Sequence, residues 1–215
     1  MNILFIAQFK IDQHKGGVQR VTATLAKEFI HQGYNVDYLS FSKGKEEKME
    51  GVSQYYIPNA GTLLANENVE YIKTLVREKG IQIVINQAGI YAGPFELIKK
   101  ALPPAVRLYS VHHNCITCMQ ANYRDRFLAK SGVYRILKYI DFPLVWRFLR
   151  AYNQKKYELY YKNTISGSDR LVLLSEYFIP ELHTYLKEFP ADKVVAIPNP
   201  APFDVVEGIE EKKEN

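Results

Sequence analysis

The sequence predicts an α/β fold, a doubly wound parallel sheet of about seven strands with a helical insert. Two observations predict it. Short apolar runs recur along the chain, and most lack polar alternation, as strands buried on both faces of a parallel sheet do. Between them, apolar residues return every three or four positions, the mark of helices with one buried face. With 215 residues, 47% of them apolar and 24% charged, the chain has ordinary globular composition and can bury a sizeable core.

Taken in order, strands are expected at residues 3–7, 36–41, 81–85, 106–111, 171–174 and 194–197, with 54–57 a weaker seventh. Val18, Val21, Leu25 and Phe29 define one face of the first helix, and Gly33 is its stop. Residues 67–79 and 95–101 read as crossover helices, the second opened by Pro94. Residues 176–188 read as another, with Pro180 marking where it starts. Low-complexity sequence is confined to residues 43–48 and 210–215.

The rhythm breaks at residues 122–162. Ten basic residues against three acidic ones give this segment a charge of +7, in a chain whose net charge is +5. It also holds eleven of the 28 aromatic residues, Trp146 among them. Val133, Leu137, Ile140, Leu144 and Phe148 form a helical stripe, with Arg135, Lys138, Arg147 and Arg150 off it. Pro143 is expected to kink or break that stripe, giving an inserted pair of amphipathic helices. Two readings of the insert stand side by side. It is a solvated basic face, or it meets an anionic membrane surface through Arg135, Lys138, Trp146, Arg147 and Arg150.

No nucleic-acid-binding motif accompanies the charge, so nucleic acid is not an expected partner. The apolar runs fall far short of the ~20 residues of a membrane span. No cleavable signal is visible, and two cysteines cannot staple a secreted scaffold. The expected location is the cytoplasm, peripheral on the inner face of the membrane if the insert binds lipid.

In an open α/β sheet the ligand crevice lies at the carboxyl ends of the strands. The loop after the first strand carries Gly16 and Gly17 ahead of a helix. The pair either makes a tight turn or lets backbone N–H groups approach an anion. Its spacing is neither G-x-G-x-x-G nor a P-loop, which excludes the dinucleotide and P-loop readings. Asn86 and Gln87 follow the 81–85 strand and either hold hydroxyls of a ligand or serve turn chemistry around residues 89–91. His112-His113-Asn114-Cys115-Ile116-Thr117-Cys118 follows the strand ending at Val111, again on the crevice side. Four ligands within seven residues would strain a tetrahedral metal set, so no metal is expected. A redox C-x-x-C asks for a thioredoxin-like unit and fits less well. What remains is a structural histidine, or one poised in the crevice to hydrogen-bond or act near a reacting hydroxyl.

The order of these stretches resembles the amino-terminal domain of glycosyltransferase family 4. A first strand and a loop lead to Gly16-Gly17-Val18-Gln19-Arg20 at a helix start, and Gln32-Gly33-Tyr34-Asn35-Val36 turns into the second strand. Tyr109-Ser110-Val111-His112, Leu173-Leu174-Ser175-Glu176 and Val194-Val195-Ala196-Ile197-Pro198-Asn199 follow in the family's order. The resemblance implies the GT-B arrangement of two facing Rossmann-like domains, one holding the acceptor and the other a nucleotide-sugar. Residues 1–200 would be the acceptor domain, 122–162 its basic insert, and 201–215 an interdomain linker or truncated tail. By this resemblance the donor domain, with its signature acidic motif E-x7-E, is expected to be missing from these 215 residues.

The implied function is therefore the acceptor-binding half of a retaining glycosyltransferase. Such an enzyme moves a sugar from a nucleoside diphosphate sugar to a glycan or lipid-linked acceptor. No cofactor is implied beyond that donor substrate, and the chain alone is expected to be inactive. By the same resemblance His112 is the catalytic residue near the donor sugar, with His113, one position on, still a candidate. Gly16 and Gly17 would serve the donor phosphate or the acceptor, and Asn86, Gln87, His113 and Asn114 the acceptor. An alternative from a different class is a non-catalytic α/β module binding membrane lipid or glycan through its insert.

Overall fold

β1 (Asn2–Ala7) lies inside the sheet, because its side chains alternate between two buried layers. Ile3, Phe5 and Ala7 join one hydrophobic cluster, and Leu4 and Ile6 another. An apolar run without polar alternation can only sit where both faces are covered. The computed structural model describes residues 1–12, 14, 16–42, 49–129 and 142–199. Among these the strands are β1, β2 (Asn35–Ser40), β3 (Val52–Tyr56), β4 (Ile83–Asn86), β5 (Arg107–His112), β6 (Arg170–Leu173) and β7 (Val194–Ala196). All pair in parallel, in the order β3-β2-β1-β4-β5-β6-β7. The fold is thus an α/β, Rossmann-like, doubly wound sheet of seven strands, and even the weak strand near residue 54 is present.

The helices are α1 (Gly17–His31), α2 (Asn66–Glu78), α3 (Ala92–Ala101), α4 (Cys118–Ala121), α5 (Tyr123–Leu128), α6 (Pro143–Gly167) and α7 (Phe178–Leu182). Ala23 and Ala26 of α1 pack on one face of the sheet with Phe5 and Tyr38. On the other face, Ile72 and Val76 of α2 and Leu97 and Ile98 of α3 meet Leu4, Val84 and Leu108. Register aligns Val84 with Leu108 and Ser110 with Leu171, so α6 and α7, which pack on Leu171 and Leu173, lie on this second face too. Strand order reverses between β1 and β4, and a crevice opens at that switch point.

The 122–162 segment differs from its expectation. α6 begins at Pro143, where a missing N–H costs nothing, so of the two expected effects the proline has the second and breaks the stripe by opening a helix. It runs on to Gly167 and feeds directly into β6. Its second half is therefore the ordinary β5–β6 crossover, not an insert. The buried stripe is also another one: Trp146, Asn153, Tyr157, Tyr161, Thr164 and Ile165 face inward. Leu144 and Phe148, expected on the packed stripe, are 63% and 70% exposed. Val133, Leu137, Ile140, Arg135 and Lys138 lie outside the described residues.

The helix expected over 176–188 shrinks to the five residues of α7. Beyond it the chain continues in tight turns, with Thr184 N–H on Glu181 C=O and Tyr185 N–H on Leu182 C=O. Leu182, Tyr185 and Leu186 still bury themselves together. Their helical spacing in the sequence is a packing requirement that turns satisfy equally well.

Candidate active site

At the switch point a cleft of about 390 Å³ is lined by the ends of β1, β4 and β5 and the start of α1. It gathers Gly16, Gly17, Gln87, His112, His113 and Asn114, which are scattered over a hundred residues of sequence. Phe9, Gln19 and Tyr91 also line it, and none of the described lining side chains carries a charge. A larger hollow of about 640 Å³ lies at the amino edge of the sheet, between the end of α6 and the segment before β7, and touches none of these loops.

The two glycines are there for different reasons. Gly16 has φ +65° and ψ 155°, a backbone state that side chains resist, and an added Cβ would lie 2.7 Å from Gln19 Oε1. Gly17 has no such need, for nothing among the described residues lies within 4 Å of where its Cβ would stand. Its bareness leaves cleft volume open. No side chain caps α1, so the N–H groups of its first turn face the cleft without a protein acceptor on the cap. The loop leading there is tied to β2: the Tyr38 hydroxyl donates to Phe9 C=O at 2.7 Å, and Ser42 Oγ to Gln8 C=O at 2.9 Å.

Asn86 does not reach the cleft. Its Nδ2 donates to Gly89 C=O and to Ser110 Oγ, and its Oδ1 accepts from Ala88 N–H, all within a fully buried cluster. It shapes the turn, and the acceptor-binding expectation for it is corrected on that ground. Asn86 pairs with Ser110 in the β4–β5 register, and both side chains are fully buried. Gln87, the next residue, is 4% exposed and lines the cleft. Its Oε1 accepts from His113 Nε2, and its Nε2 has no partner although it is buried. An orphaned buried amide donor is costly unless a ligand takes it up.

His112 is 2% exposed, and its Nε2 lies 3.1 Å from the Tyr161 hydroxyl of α6, the rings meeting edge to face at 5.5 Å. Burial, then the charge of neighbouring His113, pulls its pKa down to about 4. Burial alone does the same to His113, also to about 4. Both rings are therefore neutral near pH 7. They can exchange hydrogen bonds or a proton, but they bring no positive charge. Burial also pushes the Tyr161 phenol far up, so it stays a hydroxyl. Asn114 is exposed on the rim.

No group of three or more metal-capable side chains converges among the described residues. The histidines turn to Tyr161 and Gln87, and Cys115 Sγ turns to Thr117 Oγ1 at 3.1 Å. Of the residues expected at a membrane, Arg147 and Arg150 are exposed. Trp146 is not: it is 6% exposed, packed edge to face on Tyr123 with the Arg124 guanidinium 4.7 Å from its ring. Helical phase turns it inward while Arg147 and Phe148 point out, so its assignment to the membrane face is corrected. Phe9, Gln19 and Tyr161 belong to the site but escaped the sequence reading. For Phe9 and Gln19 their place beside the first strand and the glycine pair was a usable signal. For Tyr161, 49 residues from its histidine, there was none.

The solved structures that resemble the chain include a UDP-glucosyltransferase from Polygonum tinctorium capable of glucosylating indoxyl. It is 9% identical, with a TM-score of 0.49 over 92% of this chain and 51% of its own. A Thermus thermophilus UDP-glucose 4-epimerase in complex with NAD is 15% identical, with a TM-score of 0.33 over 52% of this chain and 37% of its own. The Bordetella bronchiseptica enzyme WbmG, in complex with NAD and UDP, is 14% identical, with a TM-score of 0.39 over 91% and 72%. The chain thus spans about half the glucosyltransferase and little more than a third of the epimerase. No curated protein sequence matches it. The sequence profile of Glycosyltransferase Family 4 matches residues 15–204, nearly the whole chain. The chain is a glycosyltransferase-type module and belongs to glycosyltransferase family 4.

Proposed function

We propose that this domain is the acceptor-binding half of a retaining glycosyltransferase, working with a second domain that holds a nucleoside diphosphate sugar. The acceptor is the hydroxyl of a glycan or of a lipid-linked sugar. The observation that carries the reading is the orphaned Gln87 Nε2, buried in an uncharged cleft while His113 holds the oxygen of the same amide. An amide donor, neutral imidazoles and the exposed rings of Phe9 and Tyr91 suit a polyhydroxylated, uncharged group.

In this reading the acceptor oxygen bonds to the anomeric carbon as the bond to the diphosphate breaks, and the hydroxyl proton leaves with the diphosphate. His112, neutral and held through Nε2, presents its other edge at the reacting end of the cleft. The first-turn N–H groups at Gly17 and Val18 stabilise charge that develops on the departing phosphate. The proposal calls for no metal or organic cofactor.

The test is a titration of the chain with neutral oligosaccharides, followed by amide NMR. Gln87→Ala should weaken binding about tenfold or more, the cost of one lost buried hydrogen bond to a ligand. Equal affinity in both proteins would sink the reading of Gln87. Sugar transfer from a nucleoside diphosphate sugar by the chain alone would sink the division of labour.

One further observation favours a peripheral membrane location on the cytoplasmic side. Leu144, Phe148, Tyr152 and Leu159 stand exposed along one side of α6, interleaved with Arg147, Arg150 and Lys155. That is the composition of a helix lying in a lipid interface, and it also supports the non-catalytic alternative of a lipid-binding module. Among the described residues no helix is long and apolar enough to cross a membrane.

A further inference from the structure

The loop that leaves the cleft at Asn114 passes at once into Cys115-Ile116-Thr117-Cys118. Ile116 is fully buried in the α6–α7 cluster and anchors this turn from below. Glu181 of α7 pins it from the side, its carboxylate accepting from Thr117 N–H and Thr117 Oγ1, both at 3.4 Å, and lying 3.7 Å from Cys115 Sγ. The turn held in this way sets the two cysteines three residues apart, Cys118 being the first residue of α4. Cys115 is half-buried and Cys118 exposed, at a spacing of one helical turn, and both are free cysteines. The reaction proposed for the cleft uses neither.

We propose that Cys115 and Cys118 form a reversible dithiol–disulfide couple, closed by exchange with a low-molecular-weight disulfide and sensed at the Asn114 edge of the cleft. Cys115 attacks first. Its thiolate adds to one sulfur of the small disulfide, that S–S bond breaks, and one thiol leaves with a proton. Cys118 then attacks the Cys115 sulfur, forming the intramolecular S–S bond and expelling the second thiol. The protein loses two thiols and the small disulfide is reduced to two thiols, so electrons and protons balance.

The order of attack follows from the surroundings. The Thr117 hydroxyl, and after it the Cys118 thiol, hold the Cys115 thiol below the ordinary cysteine range. Contact with Cys115 pushes the Cys118 thiol up. A low-pKa thiol three residues from a second thiol, on a turn pinned by Ile116 and Glu181, favours ring closure over a lasting mixed disulfide. Closing the bond must take Cys115 Sγ off Thr117 Oγ1, its partner at 3.1 Å. The backbone that moves with it carries Asn114 and His113 next door.

The experiment equilibrates the whole chain in glutathione buffers of rising oxidised fraction, quenches with acid, alkylates the remaining thiols and weighs the intact protein. Expected is the joint loss of both thiols in a monomer without retained glutathione, reversed by dithiothreitol. Cys118→Ser should instead keep a stable glutathione adduct at Cys115. Cys115→Ser should react about tenfold more slowly or less, since its remaining thiol is the weaker thiolate. Two independent glutathione adducts, disulfide-linked dimers, or two thiols still free in excess oxidised glutathione would each overturn the couple. Imidazole resonances of His113 should move on oxidation and return on reduction. Unmoved resonances in a protein shown to carry the bond would overturn its link to the cleft. None of these readouts depends on sugar transfer.

Discussion

The Tyr161 hydroxyl stands 3.1 Å from Nε2 of His112, and this contact ties the crossover helix α6 to the last residue of β5. It holds the imidazole by one nitrogen, the two rings meet edge to face, and His112 also lines the cleft. Tyr161→Phe keeps the packing and removes the hydrogen bond. We expect a stability loss of about 1 kcal/mol and a moderate loss of transfer activity in the enzyme that contains this domain. His112→Ala should lower turnover about a hundredfold or more with the fold intact by circular dichroism. Should His113→Ala alone do so, the reacting histidine is the neighbour.

The histidines also set a pH window. Their folded pKa of about 4 lies below the ordinary value of 6.5, so the unfolded chain binds more protons between those two pH values. Stability is therefore full above about pH 6.5, falls as pH drops from there, and levels off below about pH 4. Urea melts across this range should show the slope, and His112→Ala or His113→Ala should each flatten it. Transfer activity should stay flat from pH 8 to 6, because neither ring titrates there. An inflection near 6.5 that disappears in His112→Ala would contradict the burial described.

Gly16 and Gly17 separate cleanly by alanine substitution. Gly16→Ala forces a side chain into a left-handed conformation and onto Gln19, and should cost about 1–3 kcal/mol. Gly17→Ala lies in helix with open space around it and should leave stability unchanged or raise it by about 0.5–1 kcal/mol. Its methyl nevertheless enters the cleft, so ligand affinity should fall. Thermal melts and the oligosaccharide titration, run on both variants, read the two effects apart.

On α6 the contrast is between Trp146 and Phe148. Trp146→Ala empties a buried site and should destabilise by about 3–5 kcal/mol. Phe148→Ala should leave the melting temperature unchanged within error and reduce sedimentation with phosphatidylglycerol vesicles. Charge reversal at Arg147 and Arg150 should do the same in low salt. Equal co-sedimentation of wild type and these variants would remove the membrane reading.

Much of this was legible along the chain. Apolar runs such as Ile3 to Ala7 reveal strands because burial on two faces leaves no room for polar alternation. Parallel pairing then demands the crossovers, and crossovers at a switch point put Gly16, Gln87 and His112 at one end of the sheet. The side chain of Asn86 could not be placed this way. Its partners come from the following turn and from β5, Gly89 C=O and Ser110 Oγ, and only packing decides that they claim it.

By itself, then, the sequence determined the sheet, its helical layers, the edge on which the site lies and the family to which the chain belongs. These rest on periodicity and order, which are local properties of a chain. Tertiary structure alone decided the rest: that Pro143 opens a helix, that Trp146 turns inward while Phe148 turns out, that Tyr161 holds His112, and that Gln87 is left with a donor to give. Each of these depends on the phase of one element against another, and phase is set by packing between residues far apart in sequence.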